Sequence, residues 1–98
     1  MGYLHYGADE RFQFEDRILT HLRTVILGKL NLHESLVFTW STGGKQHSIW
    51  LHPAVQLRFE FDSDSTPELN PAWVELLQGL ANSPAGLRLI PEPDAPGQ

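Results

Sequence analysis

Apolar residues at Ile18, Leu19, Leu22, Val25, Ile26 and Leu30 recur at helical spacing, which predicts an amphipathic helix over about Asp16–Leu30 with one buried stripe. Glu15 and Asp16 complement the positive end of its dipole and Lys29 the negative end. Leu27 breaks the stripe. It projects onto the face of Thr20, Arg23 and Thr24, which makes it a candidate contact point. A second helix is predicted after Asn70 and Pro71, an N-cap followed by a first-turn proline. Trp73, Leu76, Leu77 and Leu80 supply its apolar face, and Asn82-Ser83-Pro84 ends it.

Elsewhere the period is two. Tyr3–Tyr6 and Phe12–Phe14 read as an N-terminal β-hairpin around a loop of Gly7–Arg11. Ser35–Ser41, Gln46–His52 and Val55–Phe61 read as a three-stranded antiparallel meander, joined by the Gly43-Gly44 turn and by Pro53-Ala54. Leu36, Phe38, Trp40, Ile49, Leu51, Leu57 and Phe59 then face the core, and Val37, Thr39, Ser48, Trp50, His52, Arg58 and Glu60 share the opposite face. Gly86–Ile90 forms a last strand. The order β-β-α-β-β-β-α-β gives an α+β fold, two layers of antiparallel sheet and two amphipathic helices. Residues 1–90 form one domain and the proline-rich residues 91–98 a flexible tail.

At 98 residues the chain is sized for one domain, with about 65% of its unfolded surface removed from water on folding. The absence of cysteine removes disulfides, iron–sulfur clusters, thiolate zinc sites and cysteine nucleophiles, and suits the cytoplasm. The residues Met1–Gly7 do not read as a secretory signal, and no apolar stretch approaches the ~20 residues that would span a bilayer, so no membrane partner is expected. A net charge of −5 disfavours attraction to phosphate backbones.

Chemistry is sparse. The five histidines show neither H-x-H nor HExxH, so no metal site is expected. Ser48 and His52 lie too far apart along one strand for a nucleophile and its base, and Thr42-Gly43-Gly44-Lys45 lacks the phosphate-loop pattern. No catalytic residue and no cofactor site emerges. What remains is a face: an exposed tryptophan beside arginine has the composition of an interface hot spot, which makes Trp50, His52, Arg58, Glu60 and Leu27 the candidate binding residues.

The runs Phe14-Glu15-Asp16-Arg17-Ile18-Leu19-Thr20-His21-Leu22, Ile49-Trp50-Leu51-His52-Pro53 and Leu69-Asn70-Pro71-Ala72-Trp73 carry a resemblance that extends over nearly the whole chain. Gly2-Tyr3-Leu4, Lys29-Leu30, Glu34-Ser35, Ala81-Asn82-Ser83, Gly86-Leu87 and Pro91-Glu92-Pro93 add to it. Together they resemble a family of small actinobacterial proteins of unknown function, some of which carry the label "ATP-dependent DNA ligase". The chain departs from that pattern at Glu15, where the family shows aspartate, and at Pro71, where it shows a basic residue. The K-x-D-G lysine and the length that a ligase needs are both missing from the sequence. The resemblance implies one folding unit and transfers no catalytic residue. The expected role is a non-enzymatic cytoplasmic module acting through protein contacts, self-association included. The alternatives are an accessory nucleic-acid-binding protein and a small hydrolase or lyase using His52 or Glu60.

Overall fold

The computed structural model describes residues 1–94. Its elements follow the predicted order: β1 (Gly2–Tyr6), β2 (Glu10–Phe14), α1 (Asp16–Asn31), β3 (Leu36–Thr42), β4 (Lys45–Leu51), β5 (Leu57–Glu60), α2 (Pro71–Ala81) and β6 (Leu87–Arg88). The α+β class holds. Local reasons account for most boundaries. Asn70 caps α2 by accepting the Ala72 N–H at 3.1 Å, with Pro71 in the first turn. Gly43 and Gly44 turn the β3–β4 hairpin with φ of 58° and 76°, where a side chain would be strained.

The strand partners differ from the sequence expectation. The strands form two three-stranded sheets, ordered β2-β1-β5 and β4-β3-β6, in place of one meander. β5 leaves β4 after the turn at Pro53-Ala54 and pairs antiparallel with β1, Tyr3 opposite Glu60 through Tyr6 opposite Leu57. β6 takes the free side of β3, and it runs parallel to it. The physical reason is that alternation fixes which face of a strand is apolar and says nothing about its neighbour. Pairing with β1 seals a second edge and packs the half-buried Leu57 and Phe59 against the core.

One core serves both sheets. Leu4, Phe14, Phe38, Trp40, Leu51 and Leu87 are buried from the strands, and Leu19, Leu22, Val25, Ile26, Trp73 and Leu77 from the helices. The sheets meet through aromatic rings, with Trp40 edge-on to Phe12 at 4.9 Å and to Phe14 at 5.5 Å between centroids. α1 packs on β1 and α2 on β6 and β3, and the helices pack on each other. Leu76, expected on the apolar face of α2, is exposed instead. No helix among the described residues is long and apolar enough to cross a membrane.

Candidate functional site

Among the described residues three places combine polar chemistry with exposure or a cavity and bear on the residues nominated from sequence. The first is the outer face of the β4-β3-β6 sheet. Register sets Trp50 opposite Val37, Ser48 opposite Thr39, and Arg88 on the other side of Thr39. Trp50 is 53% exposed there, as alternation predicts. Its neighbours are small or polar: Val37 and Thr39 are half-buried, Ser48 and Arg88 exposed, and the Thr39 and Ser48 hydroxyls share a 2.8 Å hydrogen bond. The strand beneath the indole is braced, because the Tyr6 hydroxyl donates to the Trp50 carbonyl at 2.7 Å. Gly86 sets the approach of β6: at φ 86° a Cβ would come within 2.6 Å of the Val37 carbonyl oxygen. No acidic residue occurs from Ser35 to Phe59, so all 12 carboxylates lie elsewhere in sequence.

Arg58 and Glu60 do not belong to this face, which corrects the sequence expectation. Both stand on β5, in the other sheet, and the arginine on the outer face of Trp50's own sheet is Arg88, two strands away in the Ser48–Thr39 row. His52 is half-buried in the turn beyond β4, where its carbonyl accepts the Val55 N–H at 3.0 Å. Leu27 is 39% exposed on α1, a helix whose main packing is against α2 and β1. The structure therefore keeps Trp50 as a surface residue, leaves Leu27 on α1 as expected, and sets Arg58 and Glu60 on the other sheet.

The second place is the outer face of the β2-β1-β5 sheet. Glu60 Oε1 lies 2.7 Å from His5 Nε2 and 3.7 Å from Arg58. Sequence reading missed His5 because its partner lies 55 positions away.

The third joins α1, α2 and the C-terminal segment. His21 is fully buried and stacks on Trp73 at 4.6 Å between ring centroids. Its Nε2 accepts the Asn70 N–H at 2.8 Å, so its ring proton sits on Nδ1 and is donated to the Arg17 carbonyl at 2.7 Å. The Asn70 side-chain amide donates to Glu92 at 3.0 Å and to the Pro93 carbonyl at 2.9 Å. Arg17 grips Glu92 with two bonds of 2.7 and 2.5 Å. Bonding to Arg17 first, and to the Asn70 amide second, holds the Glu92 carboxyl down to about 2 and raises the Arg17 guanidinium. The chain is thus fastened as far as Pro93, the third residue of the tail expected from sequence; residues 95–98 of that tail lie outside the described residues. An apolar cavity of about 400 Å³ beside this network is lined by Ile18, Trp73, Leu89, Ile90 and Pro91. All five network residues (Arg17, His21, Asn70, Trp73 and Glu92) fall within the sequence runs singled out above, and their satisfied bonding reads as a structural clasp.

No group of three or more histidine, aspartate or glutamate side chains among the described residues is placed to hold a metal ion. A family model described as a domain of unknown function (DUF7882) matches residues 1–92. No curated protein and no solved structure matches the chain.

Proposed function

The chain belongs to the family described as a domain of unknown function (DUF7882), and we propose that it acts as a non-enzymatic cytoplasmic module that docks a protein partner on the outer face of the β4-β3-β6 sheet. The observation that carries this reading is the half-exposed Trp50 on a sheet face otherwise made of small and polar side chains. A tryptophan in water forgoes the transfer energy of a large apolar side chain, and a partner that covers it recovers that energy. Arg88 on the same face, and the freedom from carboxylates, complete a hot-spot composition. A second copy is the partner to test first: in a chain of net charge −5, this hairpin is the surface where two copies meet without apposing acids.

The test is Trp50→Ala. It should leave thermal stability within about 0.5 kcal/mol, as at an ordinary surface position. It should weaken self-association, read by light scattering at two concentrations, or capture of a partner, by more than about 1 kcal/mol. A variant that unfolds, or that associates as the wild type does, overturns the reading.

A second reading, an accessory module for single-stranded nucleic acid, is favoured by one specific observation: Trp50 and Arg88 share the outer face of the acid-free sheet, giving a stacking ring with a cation on the same face. Binding to an oligonucleotide that appears at ~50 mM salt and fades as salt rises would select it over the protein-docking reading.

A further inference from the structure

The sheet ordered β4-β3-β6 ends on β4, and no strand among the described residues pairs along its outer edge. The Gly43-Gly44 turn decides which backbone groups line that edge. In a hairpin closed by a two-residue turn, the flanking pair Thr42 and Lys45 exchanges both of its hydrogen bonds, and every second pair after it does the same. Lys45, His47, Ile49 and Leu51 therefore bond to β3, and Gln46, Ser48 and Trp50 aim their N–H and C=O groups outward. Two contacts agree with this parity. The Thr39 carbonyl, opposite Ser48, turns away from β4 to accept the Leu89 N–H at 3.0 Å, and the Trp50 carbonyl turns away from β3 to accept the Tyr6 hydroxyl.

Tyr6 thereby closes one end of the edge. Gln46 and Ser48 are both exposed, and their outward N–H and C=O groups have no backbone partner among the described residues. β4 also lacks the devices that keep strand edges apart: over seven residues it has no proline and no carboxylate, and its one lysine stands at the turn. The other free edges are better guarded. β2 carries Glu10 and Arg11, β5 is four residues long with Arg58 and Glu60, and β6 is two residues long.

A second copy fits this edge, and in a chain of net charge −5 it does so where neither copy carries an acid. Antiparallel pairing about a two-fold axis through His47 sets Gln46 opposite the partner's Ser48 and Ser48 opposite the partner's Gln46, so every open N–H and C=O of these residues bonds. Each Lys45 then faces the partner's Ile49 and stands roughly 13 Å along the strand from the partner's Lys45, beyond the ~8 Å screening length. Trp50 comes opposite the partner's Gly44, where the space that a side chain would fill is open. We propose that the chain forms a two-fold dimer in which two three-stranded sheets join through their β4 edges, in the order β6-β3-β4-β4-β3-β6. This rests on the self-association reading above, for which it supplies the contact and the register.

The experiment reads dimerisation by sedimentation equilibrium for the wild type, Gln46→Pro and Trp50→Ala, with circular dichroism as the check on folding. Gln46→Pro removes an N–H that bonds to no strand within the chain, and with it half of the bonds across the axis, so it should stay folded and dimerise about tenfold or more weakly. Because the chain has no cysteine, His47→Cys gives a second readout. Its two thiols should meet across the axis at the ~4.5 Å Cα spacing of a non-hydrogen-bonded pair and oxidise to a covalent dimer. Ser48→Cys should not cross-link, since its two copies stand beyond the ~7 Å reach of a disulfide. A wild type that is monomeric at every concentration overturns the dimer and leaves the edge to an extended segment of another protein. Cross-linking by Ser48→Cys in preference to His47→Cys overturns the register. Association lost in Trp50→Ala and kept in a folded Gln46→Pro overturns the edge and spares the docking face, whereas the reverse overturns the face and supports the edge.

Discussion

His21 is a fully buried polar side chain at the junction of α1 and α2. It is sealed from water and spends both ring nitrogens, one on the Arg17 carbonyl and one on the Asn70 N–H. His21→Ala would open a cavity beside Trp73 and orphan the buried Asn70 N–H, while the Arg17 carbonyl keeps its helical partner, so about 2–4 kcal/mol of stability should be lost in chemical denaturation. A single residue can also be improved. His33 follows the last turn of α1 with φ of 58°, the left-handed conformation that glycine adopts freely. His33→Gly should therefore raise stability by about 1 kcal/mol, read as a higher denaturation midpoint. At this scale the sequence was informative where a side chain answers to its own period. Strand alternation turned Trp50 outward and Phe38 inward, and both stand so. It was uninformative where a residue answers to a distant partner. Nothing within α1 marks His21 as the acceptor for a backbone 49 residues further on.

Elements were legible as elements and illegible as neighbours. α1, α2 and the β3–β4 hairpin lie within a residue or two of their predicted bounds, because caps, turns and apolar spacing are local signals. The separation of β5 from β4 could not be read, since an apolar face fits any sheet that offers a complementary one. With it went the proximity of Arg58 and Glu60 to Trp50. The clasp on α1 and α2 gives this scale its own prediction. Glu92 is held down to about 2 in the folded chain and returns to an ordinary carboxyl, near 4.5, when unfolded. A depressed folded value contributes stability that is complete above about 4.5 and is lost as the pH falls toward about 2. The melting temperature of the wild type should fall more steeply across that window than that of Glu92→Gln, measured in parallel scans. Equal slopes would mean that the clasp is silent in solution.

Across the whole molecule, charge and chain path are both polarised. The hairpin of β3 and β4 forms an acid-free pole, while the His5–Glu60 contact belongs to the other sheet. The path has a temporal consequence. β1 has β2 beside it within a few residues, yet its other flank waits for Leu57–Glu60, and β3 likewise waits for Leu87 and Arg88. On a ribosome the nascent chain would emerge with two strands each zipped on one side only, and would stay so until their late partners were synthesised. A fragment ending at Gln56 should therefore be captured by chaperones or precipitate, and supplying the missing segment in trans should not rescue it once aggregated.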